Sequence, residues 1–232
     1  MSDDISGTGA VLALWNDVTP DVEAEYNAWH AGEHVPERLT VPGMLWGRRY
    51  RRSCNSAAPR YLTIYGMRDA QVLESDAYRL LLSRPTPMSA HMRPHLCNLS
   101  RWVCDVREAR GFLAPNSLAM WTFDAEDAAR SCAGAHASCT PDFLLAQRSL
   151  DAAPLPWLTG GQAQAVEGSW LLAMGMPEQA MASPQAVPGA ILYRPLPVQP
   201  ALHPAIPWHS SCIRSITPSD VAELTGLQCS NS

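Results

Sequence analysis

Two histidines one helical turn apart, His30 and His34, enclose Glu33 in the run HAGEH. Imidazole and carboxylate side chains exchange protons readily near neutral pH, so neighbours of this kind can supply a general acid and a general base together. The same residues satisfy the HxxEH pattern of inverzincin zinc ligands. A zinc peptidase also needs a third ligand from a distant helix and a long active-site helix, whereas Gly32 and Pro36 shorten this one, and no metal is expected. The structural alternative is a surface ion-pair cluster of Glu33, Glu37 and Arg38 beside a helix end.

The element that must carry these groups is a helix over residues 21–34, in which Val22, Tyr26 and Trp29 recur at the spacing of one face. At about 100° per residue Glu33 projects onto that stripe, which aims its carboxylate at the core, and His30 and His34 flank it. Burial favours the neutral, proton-donating form of a carboxyl group. His34 is then the group that takes or gives the proton, Glu33 its partner acid or orienting group, and His30 the third member. Pro36 is expected to limit the helix and VPG at 41–43 to turn the chain. On the following strand Arg48 and Arg49 point to opposite faces, so one can hold a carboxylate or enolate oxygen while the other meets the helices or solvent. Trp29 and Tyr65 are candidate substrate walls; Trp15, Trp46, Tyr61, Tyr65 and Trp102 supply apolar walls of a kind that more often belongs to the core than to a ligand box. His91 and His95 repeat the four-residue spacing across Pro94, as substrate-facing groups or as a plain loop.

Two further clusters carry less. Cys132, His136 and Cys139 offer three zinc-ligand types without an obvious fourth, and His209, Ser210 and Cys212 in WHSSC lack both a nucleophile elbow and a third triad member.

The surrounding pattern reads β-α-β-β-α-β: strands at 10–16, 44–52, 60–67 and 101–106, with helices at 21–34 and 69–82 and the loop RPTPMS before the last strand. A second set follows more loosely: strands at 117–123, 142–150, 169–177 and 190–198, with helices at 124–135 and PEQAMAS. The fold class is therefore α+β, two tandem ferredoxin-like repeats whose antiparallel sheets pack as a dimeric α/β barrel. Residues 1–110 form the site-bearing repeat, 111–200 a degenerate one, and 201–232 a proline-rich extension ending in a short helix at 219–227. An uncovered apolar sheet face must pack on another sheet, and a ligand cavity is expected between the sheets and the first helices.

The segment EYNAWHAGEHVPERLTVPGMLWGRRY at 25–50 resembles EthD-like and uncharacterised bacterial members of the dimeric α/β-barrel superfamily. The likeness spans residues 10–107 and rests on Trp29, Glu33, His34, Pro36, Glu37, Arg38, Pro42, Gly43, Arg48, Arg49 and Tyr50. It implies the fold more firmly than the reaction, because the superfamily includes cofactor-free monooxygenases, cyclases, dehydratases, isomerases and heme proteins.

Composition narrows the chemistry. All 17 basic residues are arginine, which excludes a lysine Schiff base, a lysine nucleophile and a phosphate-loop lysine. A net charge of -5 gives no basic field for nucleic acid, and no apolar run approaches the roughly 20 residues of a membrane helix. The start MSDDISGTG lacks signal-peptide character, and seven scattered cysteines suit a reducing compartment, so a cytoplasmic protein is expected. The expectation is a lyase, dehydratase, isomerase or cyclase that acts without organic cofactor on an oxygenated cyclic or aromatic small molecule. A cofactor-free or heme-dependent monooxygenase and a non-catalytic binding protein are the alternatives, and homodimerisation is open.

Overall fold

Strand β1 (Ala10–Val18) is buried along nearly its whole length, because its side chains alternate between two covered faces. The computed structural model describes residues 5, 7–53, 56–111, 117–136, 142–149, 166–177 and 187–198. The expected helix PEQAMAS beyond Pro177, Cys139, the WHSSC group and everything after residue 198 lie outside them. Val11, Ala13 and Trp15 of β1 point to one side, into a cluster with Trp46, Tyr50, Leu62, Ile64 and Trp102, while Ala10 and Leu12 pack with Val35, Tyr65 and Val72 on the other.

β1 pairs antiparallel with β3 (Tyr61–Met67) on one edge and with β4 (Leu96–Arg110) on the other. β3 pairs in turn with β2 (Met44–Arg52). In the second half β5 (Ser117–Phe123) pairs with β7 (Trp170–Met176) and β8 (Ile191–Leu196), and β7 with β6 (Phe143–Arg148). Both halves thus follow the same neighbour order, fourth strand, first, third, second. Two seams, β2 with β8 and β4 with β6, close them into one eight-stranded antiparallel barrel.

The barrel interior is filled. Trp15 and Trp102 meet edge to face with ring centroids 5.4 Å apart, and Trp46, Tyr50, Leu118, Leu144, Leu171 and Tyr193 close in around them. Gly66 provides the room for Trp46, since a Cβ there would stand 2.0 Å from the indole ring. With the interior so packed, space for a ligand lies between the outer face of the sheet and the first helices.

Those helices differ in detail from expectation. The first begins as a tight turn at Pro20–Val22, becomes α1 (Glu23–Trp29), and after a widened turn at His30–His34 continues as α2 (Val35–Arg38). Pro36 therefore does not end it: the widened turn before it takes up the missing Pro36 N–H, and the helix runs on to Arg38. The helix expected over 69–82 is divided by extended Ser75, whose side chain caps α3 (Asp76–Ser83) by accepting from Tyr78 N–H. The segment read as the loop RPTPMS begins α4 (Pro87–Met92), capped by Thr86 accepting from Ser89 N–H. In the second half α5 (Glu126–His136) covers an apolar layer that includes Trp121, Phe143, Leu145 and Trp170. No helix of the described residues is long and apolar enough to cross a membrane.

Candidate active site

The geometry of the histidines comes from the widened turn. Val35 N–H donates to His30 O five residues back, where a regular helix would reach four. Pro36 has no N–H to offer Gly32 O, and its ring crowds that carbonyl, so a turn holding one extra residue relieves the conflict. The extra residue returns His34 over Trp29, with ring centroids 4.6 Å apart and His30 4.8 Å away. His30 in turn lies 5.1 Å from the ring of Tyr26 and 5.4 Å from that of Trp29. Gly47 on β2 lets the next residue settle onto the sheet: a Cβ there would meet Val35 Cγ1 at 2.9 Å and the Tyr65 ring at 3.2 Å.

The other end of α1 is tied down by a polar network. Arg49, buried, donates to Asn27 Oδ1 at 2.9 Å and to Asn27 O at 3.3 Å, and its guanidinium lies 5.7 Å from the centre of the Tyr26 ring. Asn27 Nδ2 donates to Tyr61 OH at 2.8 Å, and the Tyr61 hydroxyl donates to Glu23. That bond, with Arg60 behind it, holds the Glu23 carboxyl below its usual range. Tyr26 OH donates to Asn16 Oδ1 at 3.1 Å, and burial pushes its proton affinity up to about 12, so it stays a neutral donor.

The pocket formed here lies between β1, α1, α2, α3 and α4. Its polar wall is His30, His34, Arg38, Ser89 and Arg93, and its apolar wall includes Leu14, Trp29, Leu82, Leu96 and Leu99, with Tyr26 and Tyr78 between. A water molecule's centre can sweep about 60 Å³ of it. Burial pushes the proton affinity of both imidazoles well below the ordinary histidine range. For His30 the neighbouring His34, Arg49 and Arg38 push further, and for His34 Arg38, Arg93 and Arg49 do. The pair is uncharged at neutral pH. Nδ1 of each ring, and Nε1 of Trp29, are buried without a protein hydrogen-bond partner among the described residues.

The expected site residues divide accordingly. His30, His34 and Trp29 line the pocket together. Glu33 does not. It is half-buried beside α4 and accepts a hydrogen bond from Thr86 Oγ1, because the widened turn carries it off the stripe that a regular helix would have continued. Of the two strand arginines, Arg49 belongs to the anchor under α1, and Arg48 lies 5.1 Å from the Trp46 ring on the opposite face; neither lines the pocket. Tyr65 is buried beneath Val35, also outside it. His91 is exposed, 3.6 Å from Glu25, and His95 Nδ1 lies 3.0 Å from Thr19 Oγ1, so the helix end holds both away from the pocket. His136 Nδ1 sits 2.9 Å from Cys132 O and its ring lies tilted against Trp121, with centroids 5.3 Å apart. Among the described residues no three His, Cys, Asp or Glu side chains stand together as a metal site.

The guanidinium groups that do reach the pocket are Arg38 and Arg93. Arg38 is only 5% exposed and donates to Glu37 Oε2 at 2.8 Å, so the ion pair expected on the surface is an internal one. Its sequence signal was its place one turn beyond His34. Arg93 has none, since it reaches the site through the docking of α4.

No protein-family model matches the sequence, and no curated protein matches it. Among solved structures, that of an anthrone oxidase-like protein superposes with a TM-score of 0.51 at 13% identity, over 83% of this chain and 94% of that one. The fold is of the dimeric α/β-barrel type. A protein of Fusobacterium nucleatum provisionally described as a monooxygenase superposes on this barrel with a TM-score of 0.47 at 10% identity, again over 83% and 94%.

Proposed function

We propose that this barrel is an acid/base enzyme that needs no organic cofactor and removes a proton from a small oxygenated ring compound. The observation that carries the reading is the pair of uncharged imidazoles facing an apolar pocket beside a buried guanidinium. His34, the more exposed ring of the pair, takes the proton, and His30 supports it. Arg38 stabilises the negative charge that develops on the substrate oxygen. Trp29, Tyr26 and Tyr78 hold the ring, and the size of the pocket suits one compact molecule rather than an extended chain. Elimination, isomerisation or cyclisation then follows from the same carbanion or enolate. In this reading residues 1–110 form the active repeat of a tandem ferredoxin-like, EthD-related chain and 111–200 its inactive counterpart, which the shared strand order supports.

The anthrone oxidase-like neighbour favours a second fate for that anion, reaction with dioxygen. One assay separates the two: deuterium incorporation from solvent into cyclic ketones and phenolic acids, followed with an oxygen electrode in parallel. Exchange without oxygen uptake supports the non-oxidative reactions, and stoichiometric uptake the oxygenase. His34→Ala is expected to lower the exchange rate by about 10²–10⁴-fold with an unchanged circular dichroism spectrum. Full activity in that variant overturns the assignment.

A further inference from the structure

Ser89 lines the histidine pocket and is only 2% exposed, so its hydroxyl must find its partners inside the protein. It stands 2.9 Å from Thr86 Oγ1, which also accepts the Ser89 N–H at 3.0 Å and donates to Glu33 Oε1. A hydroxyl has one hydrogen to give and two lone pairs to receive with. The carboxylate is the stronger acceptor and takes the Thr86 hydrogen, so the Ser89 hydroxyl donates to Thr86 and fills its second lone pair. An unbroken chain results, Ser89 Oγ–H to Thr86 Oγ1–H to the Glu33 carboxylate. It begins in the cavity wall and ends on a half-buried side chain outside the cavity. Capping of α4 needs only the bond from Ser89 N–H to Thr86 Oγ1; neither the Ser89 hydroxyl nor Glu33, which belongs to the histidine turn, contributes to it.

We propose that this chain is the route by which the proton taken up by His34 leaves the occupied pocket for solvent. The proton reaches Ser89 Oγ across water or a substrate hydroxyl held in the cavity that His34 and Ser89 share. As it arrives, the Ser89 hydrogen passes to Thr86 Oγ1 and the Thr86 hydrogen to Glu33, so each hydroxyl again holds one hydrogen. Glu33 then gives its proton to water, and rotation of the two hydroxyls restores the starting arrangement. Thr86 and Glu33 act through Ser89 and do not touch the substrate. This inference rests on the proton-transfer reading of the same pocket, and it gives Glu33 a part in that chemistry although it lies outside the cavity.

Deuterium exchange between solvent and the cyclic ketone 2-tetralone tests it, with kcat and KM measured separately. Ser89→Ala, Thr86→Asn and Glu33→Gln should each lower kcat for exchange about tenfold or more and leave KM unchanged. Asparagine still caps a helix, so the loss in Thr86→Asn is not that of the cap, and Thr86→Ser, which keeps the hydroxyl, should restore the rate. A Ser89→Ala/Glu33→Gln double variant should lose no more than either single one, because a chain cut once carries nothing further. Wild-type kcat in the three single variants, or losses that multiply in the double variant, overturns the inference while leaving His34 as the base. Wild-type exchange in His34→Ala is a different pattern, which overturns the base assignment and the route with it.

Discussion

A buried imidazole loses the water that would solvate its cation, and a second one beside it, with guanidinium groups around, repels the proton further. His30 and His34 therefore stay neutral in the fold while the unfolded chain protonates them near pH 6.5. Below that pH the unfolded state binds more protons than the folded one, so stability falls as pH falls, by up to ~1.4 kcal/mol per pH unit for each histidine. Glu37 works in the opposite sense from about pH 4.5 upward, because burial raises its carboxyl and the folded state keeps that proton longer. Urea midpoints at pH 7.5, 6.5 and 5.5 should decline for the wild type and decline much less for a His30→Gln/His34→Gln double variant; parallel curves would show that other groups control the acid limb. The same depressed affinity keeps His34 competent as a base on the acid side of the ordinary histidine range. At this scale the sequence was informative about types: His30, His34 and Trp29 are readable from spacing alone. It aimed Glu33 at the core and left open which of Arg48 and Arg49 faces α1, because the direction of a side chain depends on one extra residue in a turn and on which face of β2 looks toward α1.

That extra residue belongs to the level of elements. The widened turn is tied to Pro36, which withholds the N–H that a regular helix would direct at Gly32 O. Pro36→Ala should let the helix close to regular geometry, rotate His34 away from Trp29, and leave the melting temperature unchanged or slightly raised. Proton exchange should fall about tenfold or more, since a displacement of about an ångström at a reacting group is enough for such a loss. An unchanged rate would mean that packing of Val35 against Gly47, rather than the proline, fixes the turn. Composition located the strands well, because residues 44–52, 60–67 and 117–123 each carry aromatic or β-branched residues in a short run. It misread α4, whose signal is a capping Thr86 followed by Pro87 rather than an apolar stripe, and it joined two short helices across Ser75, where the interruption is a single extended residue.

For the whole molecule, the barrel divides the tryptophans and tyrosines between a core and a pocket. Trp15, Trp46 and Trp102 fill its interior, whereas Trp29, Tyr26 and Tyr78 serve the pocket outside it. The sequence could not make that division, because strands such as β1 and β3 are covered on both faces and both read as apolar. Gly66 tests the filled interior: Gly66→Ala pushes the Trp46 indole, which donates to Thr8 Oγ1 at 2.9 Å, and should cost about 1–3 kcal/mol in the urea midpoint with a changed near-ultraviolet dichroism. A neutral substitution would show that the core has slack there. The barrel closes within one chain, through two seams between halves of like strand order but unlike surface: histidines and arginines under α1, and under α5 a layer led by Trp121, Phe143 and Trp170. In a barrel assembled from two copies of one chain every substitution is made twice, once on each side. Here a single codon change alters one helical layer and leaves the other as it was, so each layer is free to drift at its own rate.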